Sequence, residues 1–248
     1  MSRISIFGDK KDVVSFYLLD NTVGFSFKDQ KDIQAVRKNR QKAFKSLNMG
    51  LASSVFCQQV HGDNVHIVAT DDIGKGSNDY ESGISKTDAM ITNLPNVFLA
   101  ILVADCVPVL YFDPLHKVVG VAHAGWRGTM LNIAGKTVRK MVDEFGTNQK
   151  DILVSIGPSI GPDCFEVGKE VIVTAKENVL ENFLIYKQEK TYFDLWNANR
   201  EQLLLSGVSS ENIKISGICT HCSEDYFSFR RDKDTRRFIA GIMLKDNS

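Results

Sequence analysis

Five histidines and five cysteines in 248 residues are few enough for each position to carry information. Three of them stand where apolar runs end. His61 lies in the turn Gln59-Val60-His61-Gly62, and Cys106 follows Val103-Ala104-Asp105. His123 closes the run 118–122 and opens the loop His123-Ala124-Gly125-Trp126-Arg127-Gly128. Side chains at the ends of neighbouring strands can converge on one crevice. Two imidazoles and a thiolate suit Zn²⁺, and three protein ligands leave a fourth position open for a reactant. Copper fits the same donors. The spacing alone does not decide the matter, because the three residues are far apart in the chain. On spacing alone, a buried cysteine and two hydrogen-bonded histidines are the more common explanation.

Other residues offer further chemistry. Cys219-Thr220-His221-Cys222 is a more compact donor group, ranked below the first because no further ligand stands near it in sequence. Arg127 lies in a glycine-flanked loop just before an expected helix N-terminus, where free N–H groups and the helix dipole favour an anion. Arg230 and Arg231 follow the aromatic run Tyr226-Phe227-Ser228-Phe229, and a guanidinium fork matches phosphate. Ordinary ion pairs with the thirty acidic residues are the plainer reading of each. Asp105, beside Cys106, is a candidate to orient a ligand or move a proton, or is a simple turn carboxylate. Cys57 and Cys164 read as packing residues, His66 and His116 as surface or turn histidines, and Trp126 and Trp196 as core anchors.

The elements that must position these residues follow from hydrophobic periodicity. Residues 2–7 and 12–19 read as strands around the turn Gly8-Asp9-Lys10-Lys11. A helix is expected over 33–47, where Ile33, Val36, Arg37, Arg40, Ala43, Phe44 and Leu47 recur at spacings of three and four. Short strands at 55–59 and 65–69 flank His61, and the polar stretch 70–87 reads as a mobile surface loop. The segments 89–92, 97–103, 107–112 and 118–122 are apolar throughout, as strands buried on both faces should be. A helix over 128–145 stops at Gly146. A strand at 152–156, helices at 166–178 and 194–206, and strands at 213–218 and 237–244 complete the pattern. This predicts a single α/β domain, residues 1–248, with a mixed β-sheet flanked by helices.

Bulk properties narrow the functional classes. At 43% hydrophobic and 24% charged, the chain is neither disordered nor fibrous. Thirty acidic residues balance thirty basic ones, so no net field gathers polyanions and nucleic acid is not the expected partner. The basic run Arg37-Lys38-Asn39-Arg40 reads as a solvated face. The segment MSRISIFGDKKD carries charge where a signal peptide has its apolar core, and the apolar stretch 97–104 is too short to span a bilayer. No membrane association and a cytoplasmic location are therefore expected. An odd number of cysteines argues against a disulfide framework.

Five segments, taken in order, carry a resemblance. They are Gln58-Gln59-Val60-His61-Gly62, Ala104-Asp105-Cys106-Val107-Pro108, His123-Ala124-Gly125-Trp126-Arg127-Gly128, Gly157-Pro158-Ser159-Ile160-Gly161 and Phe227-Ser228-Phe229-Arg230-Arg231-Asp232. Over residues 23–244 the chain resembles the laccase-domain family, also called the polyphenol oxidase or purine nucleoside phosphorylase family, which includes the bacterial peptidoglycan editing factor. The resemblance implies a fold similar to that of cysteine hydrolases and a metal site of zinc or copper on His61, Cys106 and His123. It also implies phosphorolysis of adenosine, inosine, guanosine and methylthioadenosine, with adenosine deamination beside it. The sequence departs from the family pattern in two places. Only Val23-Gly24-Phe25-Ser26 remains of a longer glycine-containing segment and loop, and Thr235-Arg236-Arg237 stands where Thr-Gly-Arg is usual.

The leading expectation is thus a metal-dependent purine nucleoside phosphorylase and adenosine deaminase, whose partners are purine nucleosides and phosphate. Cys106, His123 and Asp105 are its candidate catalytic residues, and Arg127 and Arg230 its candidate phosphate holders. Three alternatives stand beside it. One is a cysteine amidohydrolase editing cell-wall precursors, with Cys106 as nucleophile and His123 as base. A copper-dependent polyphenol oxidase is another, opposed by the chain's having five histidines in all. The last is a zinc-stabilised binding protein, which would unfold without its ion.

Overall fold

The computed structural model describes residues 13–18, 24–28 and 32–246. The expected strand at 2–7 and the turn at residues 8–11 lie outside these residues. In chain order the elements are β1 (Val13–Leu18), α1 (Ile33–Ser46), β2 (Ser54–Phe56), β3 (Val65–Ile67), β4 (Ala89–Thr92), β5 (Phe98–Val103), β6 (Val107–Asp113), β7 (Val118–Ala124) and α2 (Trp126–Met130). They continue with α3 (Ile133–Phe145), β8 (Leu153–Ile156), α4 (Lys169–Glu177), β9 (Leu184–Lys187), β10 (Lys190–Phe193), α5 (Leu195–Leu205), β11 (Ile213–Ile215), α6 (Phe229–Asp232) and β12 (Phe238–Leu244). No helix among the described residues is long and apolar enough to cross a membrane.

The strands form two mixed sheets and a hairpin rather than one mixed sheet. The first sheet runs β1-β12-β5-β2 and the second β11-β8-β6-β7-β4-β3, with β9 and β10 paired apart from both. In each sheet parallel and antiparallel pairs coexist: β2–β5, β3–β4 and β8–β11 are parallel, whereas β6 pairs antiparallel with both β7 and β8. Successive side chains of a strand point to opposite faces, and β5 and β6 display this directly. Leu99 and Ile101 join Leu110, Phe112, Val119, Val121 and Ala240 in a core between the two sheets. Phe98 and Ala100 face the other way, onto Ala43 and Phe44 of α1. Val109 and Tyr111 face Ile133, Val138 and Met141 of α3 and Leu203 of α5. The result is a four-layer stack of helix, sheet, sheet and helices. Both faces of the central strands are covered, which is why their sequences run apolar without alternation.

Three expectations change at this level. The helix expected over 128–145 is two helices, because Asn132 turns the backbone into the left-handed region at φ 59° and caps α3 by accepting a hydrogen bond from Gly135 N at 3.2 Å. The stretch 70–87 is packed rather than loosely exposed. Asp72 and Ser77 are buried, and Gly76 lies so close to β2 that a Cβ there would come within 2.8 Å of Phe56. Arg40 does not join a solvated face. It is 2% exposed, lies between the rings of Phe27 and Phe56, and donates to the carbonyls of Phe25, Gly76 and Ser77. Its place on the apolar stripe of α1 is thereby explained, and burial holds its guanidinium down at about 9.

Candidate metal centre

The turn that carries His61 is shaped by a residue sequence reasoning missed. Asp88, fully buried at the start of β4, accepts hydrogen bonds from the backbone N–H groups of Val60, His61 and Gly62 at 3.0, 3.0 and 2.8 Å. Three consecutive amides can point at one carboxylate only if the chain turns tightly, and His61 accordingly sits at φ 61°. Asp88 Oδ1 also lies 2.9 Å from Nδ1 of His123 on β7. One carboxylate thus places both imidazoles, whose ring centroids are 4.9 Å apart with planes at 70°. The only sequence signal was an aspartate placed immediately before an apolar strand, which hundreds of unrelated turns share.

Cys106 enters from the turn between β5 and β6. The donor atoms of His61, Cys106 and His123 all lie within 4.8 Å of one another. Two glycines make room for this. A Cβ on Gly125 would stand 3.0 Å from both Cys106 Sγ and His61 Cδ2, and one on Gly128 would stand 3.1 Å from the carbonyl of Gly62. The glycine spacing of the His123–Gly128 loop therefore reflects close approach of α2 to the turn that carries His61.

The electrostatics suit a cation. Burial works to raise the Cys106 thiol, but the imidazoles of His123 and His61 outweigh it and hold the group at about 6. Burial likewise works against charge on His123, yet the Cys106 sulfur and the Asp88 carboxylate bring it up to about 9. Asp88 stays below the ordinary carboxylate value. Burial would raise it, and the hydrogen bonds from His123 and the amides of Gly62 and Val60 prevail. A thiolate beside two imidazoles, with a carboxylate behind one of them, is a donor set for a borderline-soft divalent ion. His61, Cys106 and His123 fit zinc or copper on that chemistry.

These residues line a cavity of about 360 Å³, together with Trp126, Phe165, Leu195, Phe229, Asp105 and Arg230. Arg237 and Lys28 line it too and add positive charge that sequence reasoning did not foresee. Arg230 donates through Nη2 to the carbonyl of Glu166 at 3.0 Å and lies over the Phe165 ring, so its fork is oriented. Arg127 is elsewhere. It is not among the residues lining the cavity, is largely exposed and pairs with Glu170 of α4 at 2.9 Å, because α2 turns it outward. Arg231 binds the carbonyls of Thr220, His221, Ser223 and Tyr226 and so organises a loop. Asp105, at φ 80°, accepts from Thr220 Oγ1 at 2.7 Å and from Arg230 N at 2.6 Å, while its carbonyl takes Ile160 N. Its hydrogen bonds join three loops, an arrangement that suits the positioning role expected of it as one of two.

Cys57 is buried as expected. His66 and His116 sit near the surface, 2.8 Å from Asp72 and Asp113 respectively. Trp196 is anchored by its indole N–H on Ser159 Oγ at 2.7 Å, whereas Trp126 faces the cavity. Cys164 packs, half-buried, against the core as expected, and its sulfur also lies 3.3 Å from that of the exposed Cys222.

Comparison with known proteins places this architecture. Purine nucleoside phosphorylase YlmD of Bacillus subtilis is 38% identical over 221 residues, covering 87% of this chain and 79% of the relative. Adenosine deaminase RL5, from an unknown prokaryotic organism, is 34% identical over 205 residues, covering 80% and 78%. The crystal structure of the Bacillus licheniformis hypothetical protein YfiH superposes with a TM-score of 0.93 at 33% identity, covering 98% of this chain and 97% of that one. YlmD from Geobacillus stearothermophilus gives 0.93 at 31% identity, covering 99% and 97%. The family described as multi-copper polyphenol oxidoreductase laccase matches residues 9–245. With that span matched and the single-domain α/β fold of mixed sheets shared with YfiH and YlmD, the chain belongs to this laccase-like family.

Proposed function

We propose that residues 1–248 act as one laccase-like unit, a metal-dependent purine nucleoside phosphorylase that also deaminates adenosine, in a cytoplasm reducing enough to keep Cys106 a thiol. Its substrates on this reading are adenosine, inosine, guanosine and methylthioadenosine. The observation that carries the proposal is the composition of one cavity. Three metal donors stand in its wall, with flat aromatic surface and fixed positive charge beside them. Its volume lies within the roughly 300–1,000 Å³ typical of small-molecule sites. Relatives named purine nucleoside phosphorylase and adenosine deaminase support the same reading.

In phosphorolysis a phosphate oxygen bonds to C1′ of the ribose as the bond from C1′ to the purine breaks, giving free base and ribose 1-phosphate. Trp126, Phe165 and Phe229 offer ring surface to a purine. Arg230, with Arg237 and Lys28, would hold the phosphate dianion, and the carbonyl of Glu166 keeps the Arg230 fork oriented. In deamination, water replaces the amino group at C6 of adenine and ammonia leaves. A divalent ion held by His61, Cys106 and His123 would supply Lewis acidity for activating that water. Asp88 would leave Nε2 of His123 for an ion, because Nδ1 is engaged with its carboxylate.

The test is to incubate metal-analysed protein with adenosine, with and without phosphate, alongside Cys106→Ala. Adenine and ribose 1-phosphate should form only with phosphate and disappear in the variant. Release of neither adenine nor inosine overturns the proposal.

One observation favours a second reading, a cysteine amidohydrolase of the cell-wall-editing kind with a fold similar to that of cysteine hydrolases. The pairing of a low-lying Cys106 thiol with a readily protonated His123 is what such a nucleophile needs. Amide hydrolysis that persists after metal removal and stops on alkylation of Cys106 would select it. Copper-dependent oxidation of phenols finds less support. Multicopper centres draw on many histidines, and this chain has five, of which His66 and His116 are bound to carboxylates away from the cavity lining.

A further inference from the structure

A second group of soft donors lies on two loops that the proposed reaction leaves unused. The donor atoms of Cys164, His221 and Cys222 lie within 4.8 Å of one another, and the sulfurs of Cys164 and Cys222 are 3.3 Å apart. Cys219 closes the group. Its sulfur accepts the N–H of Gly161 at 3.2 Å and lies within hydrogen-bonding reach of both other thiols. Two thiols and an imidazole thus meet where the loop 157–165 passes the turn 219–223, with the third thiol beside the two sulfurs.

Both loops are held in place by their own backbones. Ser159 N donates to the carbonyl of Ile218 at 3.2 Å, Thr220 N donates to Ser159 O at 3.0 Å, and Ser223 N closes the turn onto Cys219 O at 3.0 Å. Arg231 gathers the outer carbonyls of the same turn. A Cβ on Gly161 would lie 3.2 Å from Cys219 Cβ, so the loops touch here. The donors are therefore presented by a formed scaffold.

We propose that Cys164, Cys219, His221 and Cys222 form a second metal site, of the zinc class, that clamps these two loops together. With Cys219 drawn onto the ion, three sulfurs and one nitrogen would give a tetrahedron with no position left for substrate, the mark of a closed structural site. Soft thiolates select zinc over magnesium or calcium. A disulfide between Cys164 and Cys222 would make no use of the third thiol or of the imidazole. The clamp stands next to the reactive cavity. Thr220 holds Asp105 beside Cys106, and Arg230 donates to the carbonyl of Cys164. An ion here would stiffen the cavity wall without touching substrate.

The test strips the reduced protein with a chelator, reloads it with Zn²⁺ or Co²⁺ and measures bound metal. The wild-type chain should bind two equivalents, Cys106→Ala one, and the double variant Cys164→Ser with Cys222→Ser one. With Co²⁺, sulfur-to-metal charge-transfer absorption should be stronger in Cys106→Ala than in the double variant, in proportion to the thiolates at the surviving site. The single variant Cys222→Ser, at an exposed position, should weaken one class of site and leave the other unchanged. Undiminished stoichiometry in the double variant, or no metal on Cys106→Ala, overturns the proposal. So does a Cys164–Cys222 disulfide found by mass spectrometry in protein that takes up no second ion after reduction.

Discussion

Asp88 shows how much of a candidate metal centre can rest on a residue outside its donor set. Its two oxygens take four donors from three consecutive amides and His123, and in doing so they fix a left-handed histidine and the orientation of a second one. Asp88→Asn keeps the volume but removes the charge and replaces one acceptor by a donor. Metal affinity should fall by about 10–100-fold, as when other partners behind ligating histidines are removed. Competition against a chromophoric chelator measures this, with near-wild-type secondary structure by circular dichroism as the control. Unchanged affinity would mean that His123 is placed by packing alone. The convergence of His61, Cys106 and His123 was legible because they are scarce residue types at strand ends. Asp88 was not, because one aspartate among many carries no mark of its partners.

At the scale of elements, the cavity wall is an agreement among loops, and Asp105 is where they meet. Its carboxylate holds Thr220 and the N-terminal part of α6, and its carbonyl holds the loop at Ile160. Hydrogen bonds to charged groups contribute roughly 1.5–3 kcal/mol, so Asp105→Ala should lower stability by about that amount or more. Asn tolerates a positive φ better than Ala does, so Asp105→Asn should recover part of the loss. If the residue positions Arg230, Asp105→Asn should raise KM for phosphate more than it lowers kcat, whereas a proton-transfer role predicts the reverse. A similar tie secures the packed segment 70–87. Burial would raise the Asp72 carboxyl, but Lys75, His66 and the amide of Ala69 bring it down to about 2. A carboxyl depressed in the folded state stabilises fully above its unfolded value, near 4, and loses that effect as pH falls towards 2. Acid titration of stability should therefore show a loss on the order of 2 kcal/mol over that interval, absent from Asp72→Asn. Here the sequence misled, since a polar, glycine-rich stretch resembles a free loop until Arg40 and β2 are found beneath it.

At the scale of the whole molecule, the individual strands were readable and their assembly was not. Continuous apolar runs at β4–β7 announce burial on both faces, but they do not say whether a helix layer or a second sheet lies above. Leu99 and Phe98 look alike in sequence, although one faces a sheet and the other a helix. The hairpin β9–β10 escaped notice because its strands are short and half-polar, with exposed Lys187 and Lys190 at the turn. The same layering decides what metal removal should do. Three buried clusters span the sheets and both helix layers, and of the proposed ligands only Cys164, at the edge of one cluster, packs against them. A chain of this kind keeps its fold without an ion, unlike a small domain whose binding energy is its folding energy. An ion at about 100-fold excess over its dissociation constant contributes about 2.7 kcal/mol. For a chain of this size that corresponds to roughly 5–10 °C in Tm. Chelation that strips both proposed ions should therefore lower Tm by roughly 10–20 °C while leaving far-ultraviolet circular dichroism and a cooperative transition in place. Collapse of the dichroism on chelation at room temperature would instead make the ions part of the scaffold, and the cavity at His61, Cys106 and His123 would have to be read as a binding protein's metal core.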